Sequence, residues 1–187
     1  MMRLPVAAFA LTMLAAPAFA EDIGAEQLFG HDPGNKAAHA CYSKTFDAAW
    51  LKAHPGQNVA KLTVYVARRA SEDAVWYAGN MEIKFRDSKA TYQVTADCSG
   101  EGGLLNCGVD CDGGGYAMTV MSKTRIGVTP DDRLRYYDIA DQPTETTKGF
   151  ASGDKNLVAD RTDIKDCLPL VADEDIKAKI AEGAITQ

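Results

Sequence analysis

From Lys61 onward the chain is written with a period of two, and that property dictates most of what it can fold into. Leu62, Val64 and Val66 alternate with Thr63, Tyr65 and Ala67. Met81, Ile83 and Phe85 alternate with Glu82, Lys84 and Arg86, and Tyr92, Val94, Ala96 and Cys98 with Thr91, Gln93, Thr95 and Asp97. Successive side chains of a strand point to opposite faces, so each run describes a strand with one buried and one wet face, the antiparallel pattern. Further strands are expected at Leu104 to Cys111, Tyr116 to Met121, Arg125 to Val128, Leu134 to Ile139 and Asn156 to Ala159. The clusters Ser71-Glu72-Asp73, Asp87-Ser88-Lys89, Gly100 to Gly103, Asp112-Gly113-Gly114-Gly115 and Pro130-Asp131-Asp132 fall between the runs as turns. Short strands at roughly 8 to 12 residue spacing define a mainly β fold, an antiparallel meander forming a small barrel or sandwich.

A short helix is expected on each side of the strands. Tyr42, Phe46 and Trp50 recur every four residues with Ala49 beside them, an amphipathic helix face that Pro55-Gly56 ends. Val171, Ile176 and Ile180, behind Asp173 and Glu174, predict the second helix at the C-terminus. Glu21 to Ala40 is polar and broken by Gly24, Gly30, Pro33 and Gly34, which reads as a flexible lead-in. Met1 to Ala20 carries one cation, Arg3, then an apolar run from Leu4 to Ala16, and closes on Ala18-Phe19-Ala20. That is the pattern of a secretory signal peptide, addressed to the periplasm or the exterior. The apolar run is shorter than the roughly 20 residues that span a bilayer, and no second one follows, so no membrane span is expected. The expected organisation is a signal peptide over 1–20, the lead-in over 21–40 and a single β-rich domain over 41–187, without repeats or linkers.

Export gives the five cysteines, Cys41, Cys98, Cys107, Cys111 and Cys167, a place where disulfides persist. On one continuous strand Cys107 and Cys111 would stand about 13 Å apart, whereas a bridge needs Cα atoms within about 7 Å. A hairpin at Ser99 to Gly103 would bring Cys98 opposite the Leu105 to Cys107 region. The pairing favoured is therefore Cys98 with Cys107 and Cys111 with Cys167, leaving Cys41 odd. A redox role is not indicated, because the closest pair is C-x-x-x-C in strand-like sequence and no C-x-x-C-H is present.

Candidate chemistry is sparse. The formal charge of -6 supplies no basic excess for nucleic acid. Asp110-Cys111-Asp112-Gly113-Gly114-Gly115 opens like a calcium loop, yet Gly114 stands where the third ligand belongs and Met121 at the twelfth position, so a glycine-rich turn is the reading. Ser152-Gly153-Asp154-Lys155 matches S-x-x-K, but Gly and Asp between its ends write a surface loop. His31, His39 and His54 all precede the cysteine cluster, which leaves a zinc site without its second pair. No catalytic residue, metal or cofactor is assigned.

Aromatic side chains are the more physical lead. Trp76-Tyr77 and Tyr136-Tyr137 each put one ring on either face of a strand, and Tyr and Trp bring contact area with a polar handle. These four are the candidate ligand-binding residues. The function expected is a non-catalytic periplasmic binding protein, taking either a small apolar ligand within the barrel or a protein partner on its aromatic surface. Inhibition of a cell-wall hydrolase is one version of the second. The alternative is a cell-envelope enzyme whose carboxylates come together only in the fold.

Cys41-Tyr42-Ser43-Lys44-Thr45-Phe46-Asp47, the phrase Leu51 to Gln57 ending in His54-Pro55-Gly56-Gln57, and Cys107-Gly108-Val109-Asp110-Cys111-Asp112-Gly113-Gly114 together resemble a group of small exported bacterial proteins of uncharacterised function. The resemblance covers about Cys41 to Cys167. It implies export and a disulfide-bearing β domain, and it brings no activity and no functional residue.

Overall fold

A computed structural model describes residues 24–187 apart from 72, 73, 102, 141–144, 147 and 148. The signal peptide expected over 1–20, and part of the turn expected at 71–73, lie outside the described residues. The strands are β1 (Ala38–Thr45), β2 (Val59–Ala70), β3 (Val75–Phe85), β4 (Tyr92–Glu101), β5 (Leu104–Gly108), β6 (Gly115–Ser122), β7 (Arg125–Pro130), β8 (Tyr136–Asp138), β9 (Glu145–Thr146) and β10 (Leu157–Arg161). Eight of them close an antiparallel barrel in the order β2-β1-β10-β7-β6-β5-β4-β3, with β3 returning to β2, and β8 and β9 extend it from one end of β4. The expected mainly β fold is thus a barrel.

Eight strands enclose a space just wide enough for side chains to fill. Tyr42, Val64, Met81, Tyr116, Met118 and Ile126 occupy it, each at most 4% exposed. Cys98 and Cys107 stand directly opposite in the β4–β5 register and are bridged within this core, as expected. A Cβ on Gly79 would meet Tyr116 Oη first and the Cys98 sulfur at 2.8 Å, so the buried ring and the bridge together leave room only for glycine there.

Both ends of the barrel are plugged. Helix α1 (Ala25–Phe29) brings Leu28 and Phe29 over one mouth, with the Phe29 ring stacked on Tyr77 at 6.4 Å between centroids. The space left beside Leu28, Tyr77, Leu105 and Val120 is about 10 Å³, no more than one water needs. Arg161 holds the end of this helix, donating from Nη2 to Leu28 O at 2.6 Å and to Tyr42 Oη at 2.9 Å, a cation where helix carbonyls are unsatisfied. At the other mouth Phe85, Tyr92, Tyr136 and Phe150 pack in tilted and edge-to-face pairs, with centroids 5.3 to 5.5 Å apart. The buried Asp154 carboxylate secures that end by accepting from the backbone N–H groups of Asn58, Val59 and Ala151.

The C-terminal segment lies across the outside of β1, β2 and β3. A 3-10 turn (Ile164–Leu170), started by Asp163 accepting from Lys165 N, and helix α3 (Glu174–Ala181), capped by Asp173, form this arm. Ile164, Cys167, Leu170, Val171 and Ile180 pack on the outward side chains Cys41, Tyr65 and Ala67. Asn80 Nδ2 donates to Leu170 O at 2.7 Å, and Cys41 N donates to Gln187 Oε1 at 2.9 Å.

Three expectations are corrected. Cys167 is bridged to Cys41, and Cys111 is free and exposed, so the pairing of Cys111 with Cys167 fails. The reason is local: β5 ends at Gly108 and Cys111 lies in the following turn, whereas Cys41 faces outward on β1 toward the arm. Tyr42 belongs to β1, and the amphipathic helix shrinks to α2 (Ala48–Ala53), capped by Asp47 accepting from Trp50 N at 2.7 Å. The lead-in contains α1 and the start of β1, with Leu28, Phe29 and Ala40 at 0 to 2% exposure, because the barrel mouth needs an apolar plug. The four candidate aromatics lie on different faces and at different ends of the barrel. Tyr77 and Tyr136 are core residues at opposite ends of the barrel, Trp76 is exposed beside Tyr77, and Tyr137 is half-buried with its Oη 3.4 Å from Gln93 Oε1.

Candidate functional site

Among the described residues, nothing covers the outside of β4, β5, β6 and β7 in this way. Its outward residues form two cross-strand rows. Ser99, Asn106, Ala117 and Thr129 are register partners in sequence from β4 to β7. Beside them run Asp97, Gly108 and Gly115, continued to Asp131 by its N–H donating to Gly115 O at 2.8 Å. These residues floor an open groove of about 960 Å³.

Two turns make the rims. The first leaves β5 at Val109, whose N–H donates to Gly114 O at 3.0 Å, and folds Cys111 and Asp112 into the left-handed region with φ of 56° and 62°. That conformation costs roughly 1–2 kcal/mol per ordinary residue, and it is held by Arg135, which donates from Nη2 to Cys111 O at 2.9 Å. The second is the turn after β7, where Asp131 Oδ1 accepts from Arg133 N at 2.8 Å and Lys155 binds Asp132.

The groove is polar and acid-rich, with Asp97, Asp112, Asp131 and Asp132 set against Arg133 and Lys155. Lys155 is paired with Asp132, and Arg133 lies 3.7 Å from Asp131. Asp97 and Asp112 have no ion-pair partner among the described residues.

The floor glycines differ in kind. A Cβ on Gly115 would strike Cys107 O at 2.3 Å, so close backbone approach requires glycine there. A Cβ on Gly108 would meet nothing within 4 Å, and its φ lies outside the left-handed region. Neither a Cβ clash nor a left-handed φ therefore requires glycine at 108, and the residue opens the floor directly beside Asp97.

None of the four predicted aromatics lines this groove, nor does any histidine. His39 is buried beneath the arm, with Nδ1 2.8 Å from Tyr65 Oη, and His54 stacks on Trp50. The Ser152 to Lys155 segment is a 3-10 turn whose Asp154 serves the barrel end and whose Lys155 reaches the groove rim. Among the described residues, no cluster of three or more His, Cys, Asp or Glu side chains is arranged to hold a metal ion. The arrangement offers carboxylates, the Ser99 and Thr129 hydroxyls and the Asn106 amide for binding. The signal that marks it in the sequence is glycine within strand pattern, where a close approach by another backbone or ligand is a standard cause.

Comparison with protein-family models, with curated proteins and with solved structures finds no match.

Proposed function

We propose that this chain is an exported, non-catalytic binding protein whose partner is another protein, docked on the outer face of β4 to β7. One observation carries the reading: among the described residues the barrel interior is filled with side chains, while the outer face of β4 to β7 is left uncovered and floored with small and polar residues. An apolar ligand bound within the barrel would need room that Tyr42, Met81, Tyr116 and Met118 occupy. Two disulfides and the signal-like first twenty residues support export to an oxidising compartment such as the periplasm. No described helix is long and apolar enough to cross a membrane. The likeness to small exported bacterial proteins belongs to the same reading, and inhibition of an envelope hydrolase is one form that such docking could take.

Native mass spectrometry of the protein isolated from the cell envelope tests this. The expected result is a barrel free of small molecules and held in a complex with a second protein. A retained apolar small molecule would overturn it.

A further inference from the structure

Resting on that reading, we propose that the groove admits a cationic segment of the partner, a lysine- or arginine-bearing loop or strand laid over Gly108 between Asp97 and Asp112. Three features of the face converge. First, its floor is built from residues poorly suited to strands. Gly, Asn and Asp are depleted there, and a wet strand face gains stability from threonine or β-branched residues instead. Gly108 is the clearest case, since neither φ nor a neighbour demands it. A residue that weakens its own strand without internal cause is accounted for by what must approach from outside. Second, the free charge of the face has one sign. Both groove cations are engaged by Asp131 and Asp132, leaving Asp97 and Asp112 without ion-pair partners among the described residues. Third, Asp97 is the register partner of Gly108, so its carboxylate borders the place where a side chain is missing. A cation entering there gains a carboxylate without displacing an existing ion pair, which is how complementary charge fixes partner and register.

The probe is an acetylated hexalysine peptide, titrated into the isotope-labelled protein at low salt and followed by amide chemical shifts. Hexaglutamate serves as the control. The expected shifts map to Ser99, Asn106, Gly108, Ala117 and Thr129. Neutralising Asp97→Asn together with Asp112→Asn should weaken binding about threefold to tenfold. The charge-matched pair Asp175→Asn and Glu182→Gln on the arm should leave it unchanged. Gly108→Phe keeps every charge and fills the floor. It should abolish the mapped shifts while the thermal midpoint does not fall, since Phe suits a strand.

Equal weakening by both charge pairs, or unaltered binding to Gly108→Phe, would overturn the cationic reading. Loss of a self-associated dimer in Gly108→Phe would overturn it in favour of a second copy as occupant. The protein-docking reading fails separately, if the complex isolated from the envelope survives Gly108→Phe. A complex lost in that variant while hexalysine ignores the groove would leave docking standing and remove the cation.

Discussion

The two outer faces of one barrel obey different rules. On β1 to β3 the outward residues include Cys41, Tyr65, Ala67 and Ala78, and the C-terminal arm covers them. On β4 to β7 the outward residues are Ser99, Asn106, Gly108, Gly115, Ala117 and Thr129, and nothing in the described chain covers them. The first face is spent on holding the fold together. The second is smaller, more polar and less suited to strands than stability alone would favour, and the docking proposal rests on that contrast.

The largest test of this contrast concerns the disulfides. The Cys41–Cys167 bridge fastens the arm across a sequence separation of 126, against 9 for Cys98–Cys107 within the β4–β5 hairpin. On loop-closure entropy, removing the first should cost about 5 kcal/mol and the second about 3 kcal/mol. Denaturant unfolding of the Cys41→Ala/Cys167→Ala and Cys98→Ala/Cys107→Ala variants would measure both, and an inverted order would break the assignment of the arm as the main fastening. Next in size, Leu170→Ala under the arm should cost about 2–5 kcal/mol. Asn106→Thr on the bare face should fall within about 0.5 kcal/mol of the parent. A large loss at Asn106 would show that this face is structural after all.

Gly108→Val should raise stability by about 0.5–1 kcal/mol, because the strand loses a flexible residue and gains a β-branched one. Destabilisation, read from the same denaturant curves, would mean that an internal demand for glycine exists. The slightest change is expected from pH. Burial first, and then Arg69, hold the His39 pKa below 6.5, with Asp173 opposing. The folded state therefore prefers neutral imidazole more than the unfolded chain does. The stability of the covered face is complete above pH 6.5 and declines as pH falls from 6.5 toward the lower folded value. Urea midpoints at about pH 7.5 and about pH 5 should show this decline, and His39→Gln should flatten it.

The same contrast explains what the sequence revealed. β4 to β7 alternate because one of their faces meets water, so their positions were legible within a few residues. β1 is buried on both faces from Ala38 to Tyr42, which erases the alternation, and the spacing of Tyr42, Phe46 and Trp50 then imitates a helix although a strand and a short helix share those residues. The Cys98–Cys107 bridge followed from a hairpin, a local event. Cys41–Cys167 depends on where the arm docks, which no local pattern records. The groove was hidden for a similar reason: Gly108 fell inside the strand expected at Leu104 to Cys111 and Asp112 to Gly115 read as a turn, and only the barrel aligns Gly108 and Gly115 beside Asn106, Ala117 and Thr129 from neighbouring strands.

Amide hydrogen exchange tests the division between a fastened face and a free one most directly. The protein would be compared as isolated with its partner and after that partner is stripped away. The account predicts slowed exchange in the complex at the groove rims, Val109 to Gly114 and Asp131 to Arg133, with the arm and β1 to β3 unchanged. Protection confined to the arm or to β1 to β3, with the rims unaltered, would contradict it.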